Sequence, residues 1–328
     1  MAFSGVIPME RKGYSHFRDK ECLFKVLEEI KARVNHDYSN LAIMLCKEIK
    51  EYYRQIPKKA DESGKKVKPK LLVGLSGGVD SSVVVYLAAK AVGVENVVAI
   101  TMPARGNDKS VHFSNLVREK LGMNDQSVQY VIPISEIVRK EIETINSLRW
   151  KGIAINAVRK RQTDMDRMRI GNFASRARIA ILYDIARKVN GKVLGTGNRP
   201  EFVQGYAAKY GTPISFDFGI LDELYKTDIY ELATVLNLPE EIINKTPSTG
   251  YFPGQTHEEE LGATCEEQDA LAFLLFEKRK GIDEIVKKYK IKKAFVKTML
   301  KRYERSKEKR MLRQPHIKLG FIEDGNVQ

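Results

Sequence analysis

The sequence predicts an α/β fold, a parallel sheet with helices on both faces, and three observations carry that reading. Leu71 to Ala89 read LLVGLSGGVDSSVVVYLAA: a short apolar run, a tight Ser-Gly-Gly loop, then an apolar run of helix length. From Lys70 onward, short apolar runs alternate with helix-length segments, the pattern of strand–helix–strand units. A second glycine loop, GTGNRPE at 195–201, follows another apolar run at Val193-Leu194. In open parallel sheets ligands bind at the C-terminal ends of the strands, where both loops would lie.

In chain order, residues 20–56 read as one or two helices. Leu23, Val26, Leu27 and Ile30 recur at helical spacing, as do Leu41, Met44, Leu45 and Ile49, with Ile43 beside that stripe. Residues 1–56 are expected to be a helical packing arm. Residues 57–69 (PKKADESGKKVKP) are polar and turn-rich, so a linker is expected. A strand at 71–75 leads into a helix at 80–92. Val97–Thr101 is a second strand, PARGN at 103–107 a loop, and 109–121 a helix. A third strand is expected at 128–133 and a helix at 135–147. Residues 149–170 hold seven basic residues without a clear period and read as an insertion near the site or a helical excursion. An amphipathic helix at 173–189 carries Arg176 and Arg178, and Val193-Leu194 is the fourth strand. The expected division is a helical extension and linker at 1–69, a core domain at 70–270, and a basic helical tail at 271–328.

A chain of 328 residues with 43% hydrophobic residues can bury a sizeable core. It has no run of 18 apolar residues, so no membrane-spanning helix is expected. The first 17 residues carry no apolar core of signal-peptide length. Cys22, Cys46 and Cys265 are scattered and odd in number, which suits free thiols in a reducing cytoplasm and lacks metal-ligand spacing. The net charge of +14 is uneven: residues 278–318 hold 17 Lys and Arg against 4 Asp and Glu. The basic character therefore belongs to the tail.

The first loop is the centre of the chemistry. Consecutive glycines admit close approach of a ligand to backbone, and the following helix offers free N–H groups and the positive end of its dipole to an anion. Ser76, Ser81 and Ser82 add hydroxyls. Asp80 fits an anion site only with a cation present, and phosphate-bound Mg²⁺ supplies one. An ordinary strand–helix turn would have no reason to gather two Gly, three Ser and an Asp in seven positions. No Lys follows the glycines, so this is not the Walker A loop, and it is not the dinucleotide GxGxxG pattern. Glu201, six residues after Gly195, offers a second acid for the same metal; the blander role is a charge at a helix N-terminus.

SGGVDSS resembles the PP-loop of the ATP pyrophosphatases, whose fold is adenine nucleotide α-hydrolase-like. That resemblance implies attack of a carboxylate or amide oxygen on the α-phosphate of ATP. The wider set is GNFASRAR at 171–178, GTGNRPEFVQGYAAKYG at 195–211, LYKTDIYELA at 224–233 and LPEEIINKTPSTGYFPGQTHEEELG at 238–262. Together with the PP-loop it resembles ammonia-dependent NAD⁺ synthetases over about 70–270, and RSKEKRMLRQP at 305–315 resembles the tail of longer members. The resemblance implies a ligase that amidates deamido-NAD⁺ with ammonia, ATP and Mg²⁺, and a cytoplasmic homodimer. It implies that Ser76, Gly77, Gly78, Val79, Asp80, Ser81 and Ser82 hold the ATP phosphates, with Thr196, Lys226 and Ser248 also contacting ATP. Asp80 and Glu201 would hold Mg²⁺, and Lys226 would neutralise charge as the α-phosphate is attacked. Ser248 would lie on a mobile loop, 246–260. Arg176, Tyr206, Lys209, Asp217 and His257 would serve the second substrate. No nucleophilic side chain is needed, because the substrate carboxylate attacks.

The second-substrate half departs from the family pattern. After Lys209-Tyr210-Gly211 the family's Asp is Thr212, and an aromatic common at 207 is Ala207, with Tyr206 beside it. An Asp in the family's GQTDE is His257, and the segment before Lys226 is one residue longer. Asp217 could supply the missing carboxylate if the loop is shifted. A divergent relative amidating another carboxylate is the alternative. No glutaminase region is visible, so ammonia would be free or come from a partner glutaminase. Residues 281–304 read as two short helices joined by 290–292. Their apolar stripes are Ile282, Ile285, Val286, Tyr289 and Phe295, Val296, Met299, Leu300, in faint likeness to a helix-turn-helix. Basic faces of this kind suit nucleic acid, which keeps a PP-loop tRNA-modifying enzyme as a rival; packing elements have the same stripes. A non-catalytic binding protein is the third reading, and Asp80, Glu201 and Lys226 argue against it.

Overall fold

Two aspartates start the first two helices. Asp19 caps Lys20–Ala32 (α1) by accepting from the Glu21 N–H, and Asp37 caps Tyr38–Gln55 (α2) by accepting from the Asn40 N–H. The computed structural model describes residues 16–60, 64, 66–104, 109–123, 131–147, 149–150, 153–154, 164–245 and 257–310. Within the stretch read as a linker, Lys59–Ala60 (β1) and Lys66–Val67 (β2) pair antiparallel.

The central sheet is built from Lys70–Gly74 (β3), Val97–Ile100 (β4), Gly191–Gly195 (β7) and Phe218–Gly219 (β8), in the order β4-β3-β7-β8, all parallel. The connecting helices are Val79–Val92 (α3), Ser110–Lys120 (α4), Ser135–Ser147 (α5) and Asp164–Lys188 (α6), with the two-residue strands Arg149–Trp150 (β5) and Ile153–Ala154 (β6) between α5 and α6. The expected third strand is a single parallel bridge, Thr101 to Val131, continued by Ile132 N–H to the Thr101 carbonyl at 2.8 Å; its residues 128–130 lie outside the described set. The helix expected from 173 starts at Asp164. Tertiary packing extends it, since Arg169 bonds Glu141 of α5 at 3.0 Å and Ile170 lies partly buried. After β7 come Arg199–Gln204 (α7), Lys226–Val235 (α8), Glu240–Ile243 (α9), His257–Leu261 (α10) and Cys265–Ala272 (α11), the last continued by a π turn at Phe273–Glu277. Ile282–Lys288 (α12), Lys293–Arg305 (α13) and Lys307–Arg310 (α14) complete the described chain.

Alternation along β3 divides the core. Leu71 and Val73 face α2, α3 and α8, packing with Leu45, Ile49, Val83, Leu87 and Leu232. Leu72 faces the other way, with Ile100, Val138, Leu182 and Phe216. A third cluster joins both ends of the chain: Phe17, Val26 and Ile30 pack with Ile285, Val296 and Met299, and with Val203 of α7 and Tyr225 before α8. The tail's apolar stripes are therefore packing surfaces. On α2 the buried face is Tyr38, Leu41, Ala42, Leu45 and Ile49. Met44, read as part of that stripe, is 42% exposed and Ile43 63% exposed, because the face turned to α3 is centred on Leu41, Leu45 and Ile49.

Ile49→Ala is expected to cost about 2–5 kcal/mol, since Ile49 is fully buried against the sheet helices. Ile43→Ala should stay within about 0.5 kcal/mol. Urea unfolding midpoints of the two variants test this placement of α2.

Candidate active site

β3 runs into Leu75 and then into the loop. Gly77 has φ +68°, and a Cβ there would lie 2.6 Å from the Phe113 Cβ and 2.9 Å from the Ser110 carbonyl. Only glycine fits that turn against the start of α4. Ser76 and Ser81 hydroxyls lie 3.0 Å apart, and the Ser76 N–H donates to Ser81 Oγ. Ser81 and Ser82 hydroxyls donate to the Gly78 carbonyl at 3.1 and 2.8 Å. Ser76 is exposed, whereas Ser81 and Ser82 are buried. The hydroxyls of Ser81 and Ser82 therefore already serve the loop's own shape. Gly78 starts α3 without a capping side chain, so the first N–H groups of α3, from Val79 on, point toward the strand end. Lys245 donates to the Gly77 carbonyl at 3.0 Å and lies 4.1 Å over the Phe113 ring.

The second loop meets the first. Thr196 is half-buried directly after β7. Asn198 starts α7 through a capping box: its Oδ1 accepts from the Glu201 N–H, and Glu201 Oε2 accepts from the Asn198 N–H, both at 3.1 Å. The other end of Asn198 donates to Asp80 Oδ1 at 3.1 Å. Glu201 is thus both a helix cap and a neighbour of Asp80. Burial, then the Asp80 charge, pushes its carboxyl up to about 8, with Lys226 opposing.

Lys226 is the first residue of α8, 5% exposed, and its Nζ makes an ion pair with Asp80 Oδ2. Burial disfavours its charge, but Asp80, Tyr230 and Glu201 outweigh that and hold it above the usual lysine range. The helix start is fixed by Asp228. Its carboxylate accepts from the Tyr225 N–H at 2.9 Å, from Arg33 at 2.5 Å and from the Tyr38 hydroxyl at 2.8 Å. Arg33 also reaches Glu277, which accepts from the Tyr225 hydroxyl at 2.5 Å. The Thr227 N–H donates to Asp269 at 2.8 Å.

The residues assigned to a second substrate divide. Tyr206 and Lys209 lie in the turn after α7, and Arg176 of α6 reaches that turn. Arg176 Nε donates to the Lys209 carbonyl at 3.0 Å, Lys209 Nζ bonds Glu308 at 2.8 Å, and the Tyr206 hydroxyl bonds Glu260. Asp217 is elsewhere. It precedes β8, accepts from the Val193 N–H at 2.8 Å and lies 3.6 Å from Lys192. Its carboxylate is therefore engaged with the β7 backbone, short of the strand ends that carry the loops. Thr212 faces Ser175, with hydroxyls 2.9 Å apart. Ser248 and most of the 246–260 loop lie outside the described residues, as does the side chain of His257. Sequence reasoning missed Asn198, whose signal was the capping pattern with Glu201, and Asp228, whose signal was an acid three residues after Tyr225. It also missed Lys245, for which no local signal exists.

Gathered at the C-terminal ends of β3 and β7 are a glycine loop at a helix start, two carboxylates and one buried cation. That set can bind a polyphosphate with a divalent cation and stabilise charge at one phosphorus.

A family model described as NAD synthase matches residues 48–313. The chain is 36% identical over 242 residues to an NH₃-dependent NAD⁺ synthetase of Pyrococcus horikoshii, covering 74% of this chain and 86% of the relative. It is 34% identical over 266 residues to that of Fusobacterium nucleatum, covering 81% and 92%. Among solved structures it is similar to an NH₃-dependent NAD synthetase from Campylobacter jejuni, with TM-score 0.59, 25% identity and coverage of 83% and 96%. An NMN synthetase from Francisella tularensis has a similar fold, with TM-score 0.64, 24% identity and coverage of 84% and 96%.

Glu201 sets a pH dependence. Its folded-state value, about 8, lies above its ordinary 4.5. Between those values the folded protein holds a proton that the unfolded chain has lost, so this contribution to stability is full in acid and is lost as pH rises toward 8. Without divalent cations, the loss of melting temperature between pH 5 and 8.5 should be smaller in Glu201→Gln than in the parent. An equal loss in both would refute this environment for Glu201.

Proposed function

The chain belongs to the NAD synthase family, and from that premise we propose that it is the amide-forming ligase that converts deamido-NAD⁺ to NAD⁺ with ammonia and ATP. The observation that carries this is the buried Lys226–Asp80 pair, with Glu201 beside it, at the mouth of the serine-glycine loop. The substrate carboxylate attacks the α-phosphorus of ATP and pyrophosphate leaves. Ammonia then attacks the acyl-adenylate carbonyl and AMP leaves. The substrates supply both nucleophiles, and the enzyme positions and neutralises.

In this reading Ser76 and the N–H groups from Gly77 to Ser81 hold the pyrophosphate portion of ATP, with Ser82 shaping the loop through the Gly78 carbonyl. Gly77 sits where a Cβ would strike α4, so the loop can press backbone against phosphate. Lys226 carries its charge into a site almost without water, where it acts most strongly on the α-phosphate. Thr196 and Ser248 complete the ATP contacts. Asp80 and Glu201 fit a divalent cation: they are two crowded carboxylates, one of them raised in pKa partly by the other's charge. Mg²⁺ bound there would neutralise phosphate charge. Arg176, Tyr206, Lys209 and His257 serve the carboxylate substrate.

Residues 70–270 act as the catalytic domain, with 1–69 and 271–328 as its braces. The enzyme works as a cytoplasmic homodimer, on free ammonia or ammonia from a separate glutaminase. A second reading, a relative amidating a different carboxylate, has one specific support. Thr212, where the family pattern has an Asp, is paired to Ser175, and the Asp217 carboxylate is bound to the β7 backbone. A tRNA-modifying role has less support, because the apolar faces of α12 and α13 are used in packing.

The test is AMP release and NAD⁺ formation from ATP, Mg²⁺ and ammonium, with and without deamido-NAD⁺. AMP and NAD⁺ should form together. Asp80→Ala should abolish both, and Lys226→Met should lower turnover by about 10²–10³. Absence of NAD⁺, with pyrophosphate exchange only on adding another acid or a tRNA, would overturn the proposal.

A further inference from the structure

Three side chains of the C-terminal segment converge on the turn that ends α7. Gly205 closes that helix in the left-handed region, φ +62°, and a Cβ there would lie 2.0 Å from the Ser306 Cβ. The end of α13 is therefore seated directly on the Gly205 α-carbon. Lys309 Nζ donates to the Gly205 carbonyl at 2.7 Å and to the Ala207 carbonyl at 2.6 Å. Arg302 donates to Gln204 Oε1 and to the Leu261 carbonyl, both at 3.1 Å. Gln204 in turn donates to Gln268 of α11 at 2.8 Å.

These contacts have a common direction. Carbonyls at the end of a helix are unsatisfied and carry the negative end of its dipole, so a cation there both caps and neutralises them. Lys309 bridges two carbonyls two residues apart, which fixes the chain direction through Tyr206. Charged donors make the stronger hydrogen bonds. Lys309 is half-buried, and burial together with Arg176 holds it below the usual lysine range. The turn it holds, 205–211, carries Tyr206 and Lys209 and presents the Lys209 carbonyl to Arg176. The ATP-side groups Asp80 and Lys226 have none of these contacts.

We propose that Lys309 is a positioning residue: with Ser306 and Arg302 it holds the 205–211 turn in the shape that receives the carboxylate substrate, so the basic C-terminal segment sets affinity for that substrate and not for ATP. The assignment of the turn to the carboxylate substrate rests on the proposed function above.

The experiment compares Lys309→Met and Lys309→Arg with the parent full-length enzyme. Hydrogen–deuterium exchange follows the 206–211 amides, and steady-state kinetics varies each substrate in turn. Lys309→Met should exchange faster across 206–211 and raise KM for deamido-NAD⁺ by about tenfold, roughly the loss of one charged hydrogen-bond set. KM for ATP should stay within about twofold, and Lys309→Arg should restore most of both effects. Unchanged exchange across 206–211 would overturn the brace. So would equal rises in the two KM values, which mark a general loss of structure. If the parent enzyme makes no NAD⁺, the proposed function fails, while the exchange measurement still decides whether Lys309 holds the turn.

Discussion

Lys226 has to stay charged with almost no water around it, and much of the surrounding structure meets that one requirement. It stands at the first position of α8, where the helix dipole opposes a cation. It is also 5% exposed, so solvent gives little help. Asp80 supplies the compensating charge, and Asp80 comes from the first turn of α3 at the end of another strand. The pair therefore holds two elements together and sets the distance between the phosphate loop and α8. Asn198 adds a third element, because its amide holds Asp80 while its carbonyl starts α7. One buried charge thus fixes three helix starts around one point.

The support for this arrangement comes from both ends of the chain. Asp228 caps α8 only because Arg33 and Tyr38 neutralise and saturate it. A buried carboxylate left without them would be costly, more than the pair gains when intact. Arg33 follows α1, and α1 packs through Val26 and Ile30 onto the C-terminal helices. His16 extends the same brace: it stacks on Phe295 with ring centroids 4.2 Å apart and reaches the Gly262 carbonyl at 2.5 Å. Val203 of α7 and Tyr225 before α8 belong to that cluster. The N- and C-terminal helices thus complete the third cluster, which backs α7 and the start of α8 through Val203 and Tyr225.

Strands β3, β4 and β7, the helices between them and both strand-end loops were legible because their signals are local, whereas the two-residue β8 carries no such signal. Alternation separates Leu71 and Val73 from Leu72, and the glycines of 74–78 mark a turn that no other residue type would fill at Gly77. The Asp228 network was not legible, because its members Arg33, Tyr38, Tyr225 and Glu277 come together only through tertiary packing. The contacts of Asp217 were hidden for the same reason. Its role depends on the pairing of β8 with β7, which turns its carboxylate to the Val193 N–H. The early start of α6 was hidden because residues 164–172 show no apolar stripe and are held by a salt bridge to α5.

The two halves of the site stand on different supports. The half proposed for ATP rests on strand ends, helix starts and buried ion pairs, where a small displacement breaks several contacts at once. The half proposed for the carboxylate substrate rests on the 205–211 turn, clamped from outside by Ser306, Lys309 and Arg302 and backed by the Ser175–Thr212 hydroxyl pair. Hydroxyls and peripheral lysines can change without disturbing Asp80 or Lys226, because they share no hydrogen bond with them. This separation lets positions 207 and 212 vary while Asp80, Asn198 and Lys226 keep their mutual contacts. Constraint is strongest where charge is buried, and latitude remains where neutral hydroxyls and peripheral lysines do the holding.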